Sequence, residues 1–177
     1  MVKPWMNSKA ISFYESILEE GMKVLEFGAG NSTVWLSKKK VHVLAFEHQQ
    51  VWRKNVLLQA DLDYAEVVLH DDYFMLIADL DEEYDIIVID GVQREKCYEE
   101  VMKRPELLKK GGYIIFDDSQ RRYLSEQYAR IADDLEQHFE CTPVANYDYE
   151  NKEQYEELLK TVMPNRLEQT MFCFKKV

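Results

Sequence analysis

Short apolar segments alternate with amphipathic segments along most of the chain. The apolar segments are five to seven residues long and are bounded by turn-forming residues, which is typical of buried strands. The segments between them place their apolar residues on one side of a helix. Strands and helices that alternate in this way predict a parallel sheet with helices on both faces. The first five strands are predicted over residues 23–27, 41–46, 65–69, 84–90 and 111–116.

The same pattern predicts the helices and a further pair of strands near the C-terminus. A helix over residues 8–20 ends at Gly21, because glycine favours helix ends. Trp52 lies on the apolar face of another helix and is expected in the core. These elements predict an α/β fold, a three-layer sandwich that ends in a strand pair. The other helices are predicted over residues 32–40, 49–59, 73–80, 95–110 (interrupted at Pro105), 124–139 and 150–162, and the last strands over 141–147 and 169–175, after a turn at Pro164-Asn165.

Length and composition indicate a single domain over residues 1–177. The chain has 177 residues, of which 46% are hydrophobic, and this is enough to bury a full core. Its longest apolar runs are strand-length and no basic segment leads into an apolar one at the N-terminus, so we expect neither a membrane span nor a signal peptide. Cys97, Cys141 and Cys173 are odd in number and widely spaced, which indicates neither a disulfide framework nor a zinc site. We therefore expect a cytoplasmic protein.

Charge is distributed unevenly along the chain, whose net charge is −11. Residues 1–60 hold 8 Lys and Arg against 5 Asp and Glu, whereas residues 61–177 hold 14 against 28. Nucleic-acid binding depends largely on the neutralisation of phosphates, which the acidic later region would repel. We therefore expect a small-molecule substrate, with a protein surface as the alternative, and no nucleic acid or membrane partner. The oligomeric state stays open.

A glycine turn follows the first predicted strand. Residues 24–33 read Val-Leu-Glu-Phe-Gly-Ala-Gly-Asn-Ser-Thr. Glycine lets the backbone approach a ligand closely, and the free N–H groups at the start of the next helix point toward that ligand. Glu26 lies two residues before the first glycine, where a carboxylate would repel the pyrophosphate of a dinucleotide. It favours a ligand with positive charge, such as S-adenosylmethionine, which carries a sulfonium and an amino group.

Polar residues also lie at the ends of the second and third strands. Ligands bind open parallel sheets at the carboxyl ends of the strands, near the point where the strand order reverses. Glu47 closes the second strand, where a carboxylate can accept hydrogen bonds from both hydroxyls of a ribose. His48 is placed to border an adenine, and Asp71 or Asp72, by preference Asp71, to accept from the adenine amino group. The alternative for each is an exposed side chain on a loop.

Four segments, taken in order, resemble the class I S-adenosylmethionine-dependent methyltransferases. They are Leu25-Glu26-Phe27-Gly28-Ala29-Gly30, Glu47, residues 84–91 (Tyr-Asp-Ile-Ile-Val-Ile-Asp-Gly) and residues 110–118 (Lys-Gly-Gly-Tyr-Ile-Ile-Phe-Asp-Asp). The resemblance implies a Rossmann-like sheet of seven strands, mostly parallel, with an antiparallel C-terminal strand. It also implies that the glycine turn binds the methionine part of the cofactor and that Glu47 binds its ribose. The implied cofactor contacts of the turn are Glu26, which helps to hold the amino group, Gly28, Ala29, Gly30, Ser32 and Thr33.

The ends of the fourth and fifth strands resemble those of metal-dependent O-methyltransferases of the catechol and caffeoyl type. Asp90 follows the fourth strand, and Asp117 and Asp118 follow the fifth, where those enzymes have an Asp-Asn pair. Three carboxylates can hold Mg²⁺ or Ca²⁺, which would lower the pKa of a substrate hydroxyl. Alternatively no metal binds, Asp90 faces the cofactor as the general base, and Asp117 or Asp118 caps the next helix. Asp90 and Asp117 are the predicted catalytic residues.

The predicted function is methylation of a small molecule, with oxygen favoured as the acceptor because of the three aspartates. Arg121 and Arg122 are placed to bind an anionic group of the substrate, and surface pairing is the alternative. Two other functions stay open. One is an NAD-dependent oxidoreductase, which also uses a glycine turn and an acid such as Glu47, although Glu26 argues against it. The other is a non-catalytic cofactor-binding protein, since little of the chain lies beyond the core sheet to build a lid.

Overall fold

A seven-stranded sheet forms the centre of the computed structural model, which describes residues 2–149, 151–163 and 167–175. The strands lie in the spatial order 3-2-1-4-5-7-6; the first five are parallel, and the seventh is antiparallel to both neighbours. This confirms the predicted Rossmann-like sheet. The strands are β1 (Lys23–Phe27), β2 (His42–Glu47), β3 (Ala65–Leu69), β4 (Tyr84–Ile89), β5 (Leu108–Phe116), β6 (Glu140–Ala145) and β7 (Gln169–Phe174).

Helices cover both faces of the sheet. The first begins after Asn7, whose side chain accepts a hydrogen bond from the backbone N of Ala10 at 2.9 Å and so caps the helix. Among the described residues, no helix is both long and apolar enough to cross a membrane. The helices are α1 (Ser8–Ile17), α2 (Asn31–Lys38), α3 (Gln50–Leu57), α4 (Arg94–Lys103), α5 (Glu126–His138) and α6 (Lys152–Leu159), with 3-10 turns at Tyr73–Asp79, Pro105–Leu107 and Ser119–Tyr123.

The two faces of the sheet bury separate cores, because successive residues of a strand point to opposite sides. On β1, Val24 packs in the core under α1, α2 and α3. Its neighbour Leu25 packs in the core under α4 and α5. Residues 86–89 of β4 are buried on both faces, which explains why this strand is continuously apolar.

The region around β5 differs most from the prediction. A helix was predicted over residues 95–110, but α4 ends at Lys103 and β5 begins at Leu108. The glycine pair lies inside the strand: Gly111 has a φ of +79°, and the register of β5 against β4 shifts near it. A bulge places extra residues within a strand, so the prediction placed the start of β5 too late. The predicted turn at Pro164-Asn165 lies outside the described residues.

A disulfide joins the last two strands. Cys141 on β6 and Cys173 on β7 are directly opposite each other and form the bond. They are 32 residues apart in the sequence, and only the strand register brings them together. Cys97 is free and buried. The expectation that the cysteines form no disulfide is therefore wrong.

Candidate functional site

A cleft of about 800 Å³ opens at the carboxyl ends of β1, β2, β4 and β5, where the strand order reverses. Its volume is typical of sites for small ligands. The glycine turn after β1 forms one side of it, and the acids after β4 and β5 form the other. The predicted site residues that line the cleft are Gly28, Ala29, Gly30, Ser32, Glu47, His48, Asp90, Asp117 and Asp118.

Two glycines bring the loops after β1 and β4 into contact. Gly28 has a φ of +100°, and a Cβ atom on it would lie 2.6 Å from the Cα atom of Gly91. A Cβ atom on Gly91 would lie 3.0 Å from the carbonyl oxygen of Phe27. Neither position has room for a side chain. The close approach sets the two sides of the cleft next to each other.

Gly30, by contrast, has free space around its Cα atom. Its backbone is extended, and the nearest atom to a Cβ atom placed on it is Ser32 Oγ at 4.0 Å. Packing within the described chain therefore does not require glycine here. Gly30 lines the cleft and directly precedes α2, so a ligand can approach the backbone and the free N–H groups at the helix start.

Glu26 lies beneath the glycine turn and does not line the cleft. It is fully buried, and its two carboxylate oxygens accept hydrogen bonds from the hydroxyls of Ser32 and Thr33. Thr33 Oγ1 also accepts a hydrogen bond from the backbone N of Gly30 at 2.8 Å. Burial raises the pKa of Glu26 from about 4.5 to about 7, although the two hydroxyls lower it. The acid thus ties the turn to the start of α2, and its contact with a cofactor amino group stays a prediction.

Glu47 stands at the end of β2, on the cleft. Its Oε1 atom accepts hydrogen bonds from the backbone N atoms of His48 (2.8 Å) and Gln49 (2.7 Å) and lies 3.0 Å from His48 Nδ1. These contacts with described residues all involve Oε1. They fix the carboxylate and leave Oε2 to accept hydrogen bonds from a diol.

Asp71 and Asp72 lie outside the cleft. Both are exposed in the segment after β3, and neither contributes to the cleft lining. The backbone N of Asp72 donates a hydrogen bond to His70 Nδ1 at 3.0 Å, so this segment is turned on itself. Contact of either carboxylate with an adenine stays a prediction.

Asp90 and Asp117 meet at the ends of β4 and β5. Their side chains are hydrogen-bonded to each other, and Thr170 Oγ1 on β7 donates to Asp117 Oδ1 at 2.6 Å. Burial, together with the negative charge of Asp90, raises the pKa of Asp117 well above its ordinary range. Burial therefore favours the neutral form of the Asp117 carboxyl. Asp90 faces the cleft, with 29% of its side chain exposed.

A buried arginine connects Asp90 to Asp118. Arg94, the first residue of α4, is 8% exposed. Its Nη2 atom donates to Asp90 Oδ1 at 2.6 Å, and its Nη1 atom donates to Asp118 Oδ2 at 3.0 Å and to Tyr128 Oη at 2.9 Å. Burial acts to lower the pKa of Arg94, but the two carboxylates raise it above the ordinary value. Arg94 is therefore a charged guanidinium between two acids.

The contacts of Arg94 involve two of the three predicted metal ligands. Asp90 and Asp118 pair with the guanidinium at the place where an ion was expected, and burial raises the pKa of Asp117. Within the described ranges, no group of three or more His, Cys, Asp or Glu residues is arranged to hold a metal ion. The residues present do not fit Mg²⁺ or Ca²⁺, which need several free oxygen ligands.

The sequence over residues 25–119 matches a family described as a methyltransferase domain. This segment is more than half of the chain, and it contains the glycine turn, Glu47 and the aspartates of the cleft. The chain belongs to this methyltransferase family. No curated protein sequence matches the methyltransferase closely enough to count as a relative.

Solved structures of other methyltransferases share the fold of this one. The O-methyltransferase TomG from Streptomyces achromogenes, in complex with S-adenosylmethionine, has a TM-score of 0.69 at 13% identity, over 93% of this chain and 77% of that one. An O-methyltransferase from Bacillus cereus, in complex with S-adenosylhomocysteine, has 0.65 at 19%, over 88% and 74%. An rRNA methylase from Streptococcus thermophilus has 0.65 at 17%, over 100% and 99%. The prediction of a class I S-adenosylmethionine-dependent methyltransferase is confirmed.

Two tryptophans form one wall of the methyltransferase's cleft. The ring centroids of Trp5 and Trp52 are 5.7 Å apart, and Trp52 Nε1 donates to the carbonyl oxygen of Ala29 at 2.6 Å. Trp5 is 74% exposed. Trp52 was expected in the core, but it is only half-buried because it packs beside the glycine turn.

The opposite wall carries Arg121 and Tyr128. Arg121 Nη2 lies 3.0 Å from Asp118 Oδ2, and its guanidinium lies 5.7 Å from the centroid of the Tyr128 ring. The Arg121 side chain is 53% exposed, so it can reach a ligand in the cleft. Arg122 instead pairs with two acids of α5 and does not line the cleft.

Sequence reasoning missed Arg94, Tyr128 and Trp5. The signal for Arg94 is its spacing of four residues from Asp90 at the start of a helix, where oppositely charged side chains can meet. Tyr128 lies on α5 and Trp5 lies before α1, each far in sequence from the strand ends that it approaches. Their positions follow from tertiary packing.

Proposed function

We propose that the methyltransferase binds S-adenosylmethionine in the cleft and transfers its methyl group to a hydroxyl oxygen of a small molecule. The proposal rests on a glycine with free space around it, Gly30, and on a carboxylate on the same cleft, Glu47, that backbone hydrogen bonds hold in place. Gly30 leaves space at the start of α2, and Glu47 is fixed on the same cleft. These residues fit a ligand with a ribose and a flexible cationic chain.

The cofactor residues proposed here act through the glycine turn and β2. Glu47 Oε2 accepts hydrogen bonds from the ribose hydroxyls, and His48 borders the adenine. The amino group binds near the turn formed by Gly28, Ala29 and Gly30. Because the pKa of Glu26 is about 7, an ammonium group nearby shifts this acid to its charged form.

Three further residues complete the proposed cofactor contacts. Ser32 lines the cleft and joins Glu26 to it, and Thr33 holds the backbone of the turn. At the far end, Asp71 or Asp72 is proposed to accept from the adenine amino group, which requires the exposed segment after β3 to approach the cleft.

Asp90 is the proposed general base. When bound, S-adenosylmethionine supplies a methyl group that its sulfonium already activates. Asp90 faces the cleft, and Arg94 and Asp117 hold its carboxylate in place. A carboxylate beside the acceptor can take up the hydroxyl proton as the oxygen is methylated. Alignment of the acceptor and exclusion of water contribute the rest of the rate enhancement.

The charge of the chain favours a small molecule as the acceptor. A net charge of −11 opposes the approach of a polyanion, whereas Arg121 in the cleft suits a single anionic group. RNA is the second candidate, because the rRNA methylase from Streptococcus thermophilus shares the fold over nearly its whole length. We further propose that the chain acts as one domain over residues 1–177.

Isothermal titration with S-adenosylhomocysteine and with NAD tests the cofactor assignment. S-adenosylhomocysteine is expected to bind, and Glu47→Gln is expected to weaken its binding. Glu66→Gln, which alters an exposed residue of β3, is the matched control and should leave the affinity unchanged. Tight binding of NAD with no response to S-adenosylhomocysteine would contradict the proposal.

The acceptor is tested with labelled S-adenosylmethionine and two kinds of substrate. One is a set of hydroxylated small molecules that carry a carboxylate, and the other is total RNA. Transfer of label to a small molecule supports the proposal. Transfer of label to RNA alone would replace it with the second candidate.

A further inference from the structure

Arg94 occupies the place at the ends of β4 and β5 where a divalent ion was expected. Its Nη2 atom contacts both the carboxylate and the carbonyl oxygen of Asp90, at 2.6 and 2.8 Å. Its Nη1 atom contacts Asp118 after β5 and Tyr128 on α5. An ion at this place would use the same carboxylate oxygens. A guanidinium and an ion therefore exclude each other here.

The backbone on both sides of this ion pair has an uncommon conformation. Gln93 and Asp118 are non-glycine residues with φ angles of +56° and +54°. Residues persist in this region only where the surrounding structure holds them there. Gln93 directly precedes Arg94, and Asp118 is one of its partners. The left-handed turn at Gln93 thus leads directly into Arg94, and the one at Asp118 places an acid against it.

The third nitrogen of Arg94, Nε, makes none of these contacts. Nε is buried and has no hydrogen-bond partner among the described residues. A buried donor without a partner is unfavourable, so a side chain that served only to attach α4 to the sheet would be a poor choice at this position. Arg94 instead donates hydrogen bonds to the carboxylates of Asp90 and Asp118 in the cleft.

We propose that Arg94 takes the part of a divalent ion in this methyltransferase, as a built-in cation that joins Asp90 to Asp118. It is a positioning residue, which fixes the Asp90 carboxylate toward the cleft through the contacts above. The inference rests on the proposed function in one respect, the role of Asp90 as a base for the acceptor. That Arg94 replaces a metal ion depends only on Arg94 and the two carboxylates that it contacts.

Binding of Mn²⁺ alone, followed by water-proton relaxation, tests the proposal. The wild-type chain is expected to show no saturable binding at the cleft. Arg94→Met removes the charge and keeps much of the side-chain length, so it is expected to gain saturable Mn²⁺ binding at the cleft. Adding Asp118→Asn to this variant should abolish the gain. Arg94→Lys keeps a cation and should behave like the wild type.

Arg130→Met is the matched control, because Arg130 on α5 pairs with Glu95 on α4 and is exposed. This variant should bind Mn²⁺ no better than the wild type. Saturable Mn²⁺ binding by the wild type that Asp118→Asn abolishes would overturn the proposal, as would a folded Arg94→Met variant without any gain.

Circular dichroism shows whether Arg94→Met folds. If it does not, Mn²⁺ binding by the wild type, compared with Asp118→Asn, still tests whether a metal ion occupies the place of Arg94. Failure of the wild type to bind S-adenosylhomocysteine would instead overturn the proposed function. That result would leave the Mn²⁺ measurement intact, so the two failures are distinguishable.

Discussion

The two sides of the cleft are built in different ways. On the cofactor side, residues 26–33 supply a buried acid, a glycine turn and the hydroxyls that bind the acid. On the acceptor side, contacts join residues that are far apart in the chain: Asp90 and Arg94 after β4, Asp118 after β5 and Tyr128 on α5. The first side is recognisable as one sequence motif. The second exists only once β4 and β5 have paired.

The two sides also differ in where their positive charge comes from. On the cofactor side, Glu26 is buried with no cationic partner among the described residues, and burial raises its pKa to about 7. On the acceptor side, Arg94 is already in place and stabilises the charged form of Asp90. Under the proposed function, the chain thus supplies the cation beside the acceptor, and the cofactor supplies the cation beside Glu26.

Asp90→Asn should have the largest effect and should act on the acceptor side alone. An amide cannot serve as a general base, so we expect methyl transfer to slow by about 1000-fold. Affinity for S-adenosylhomocysteine should change little, because Gly30 and Glu47 are untouched. Rates are measured with the acceptor that the labelling experiment finds, with Asp63→Asn on an exposed loop as the control. Equal losses of rate and of cofactor affinity would remove the distinction between the two sides.

Glu26→Gln should change the pH dependence of stability. The folded pKa of about 7 lies above the ordinary value of 4.5, so the folded state binds this proton more tightly than the unfolded state does. The stabilisation is fully present below pH 4.5 and is lost as the pH rises through 7, in total about 3 kcal/mol. Urea unfolding of the wild type and the variant between pH 5 and 8 measures it.

As the pH rises, the wild type should lose unfolding free energy relative to the Glu26→Gln variant. A difference that stays constant over this range would mean that Glu26 is charged throughout, and that the cofactor side already has a cation of its own.

Two glycine substitutions separate structure from binding at the turn. Gly91→Ala places a Cβ atom against the backbone of Phe27 and Gly28, and overpacking of this kind is expected to cost about 2 kcal/mol of unfolding free energy. Gly30→Ala meets nothing closer than 4.0 Å, so its stability should be nearly unchanged. Gly30→Ala should instead weaken the binding of S-adenosylhomocysteine, which isothermal titration measures. The opposite pattern would show that Gly30 serves the fold.

Trp5→Ala should have the smallest effect. The side chain is exposed and contacts Trp52 beside the glycine turn, and an aromatic pair of this kind contributes about 1 kcal/mol. We expect the unfolding free energy to fall by about 1 kcal/mol or less and ligand affinity to fall by roughly tenfold or less. Leu58→Ala, at another exposed site, is the control. An effect on the maximal rate that exceeds the effect on affinity would assign Trp5 to the acceptor side.

Sequence predicted the local structure of the cofactor side well because its signals are local, whereas Asp71 and Asp72 lie outside the cleft and the cofactor contacts stay predictions. β1, the glycine turn and Glu47 lie within one strand–helix–strand unit, and apolar periodicity placed β1 and β3 with the correct bounds. Sequence also placed Asp90 and Asp117 at the cleft, since polar residues directly after buried strands mark the functional edge of a parallel sheet; their catalytic roles stay predictions.

The acceptor side was predicted less well because charge pairing across strands leaves no local signal. Three aspartates in the sequence indicated an ion, and the cation that replaces it comes from the first turn of α4. The bulge in β5 and the disulfide between Cys141 and Cys173 were missed for the same reason, since both depend on strand register.

A crystal structure with bound S-adenosylhomocysteine tests the central claim most directly. We predict that the ribose hydroxyls lie within hydrogen-bond distance of Glu47 Oε2, that the chain with the amino group passes Gly30, and that the sulfur faces Asp90. If the ribose contacts Glu47 but the sulfur points away from β4, the assignment of Asp90 to the acceptor side is contradicted. A ligand bound elsewhere than in this cleft would contradict the whole assignment.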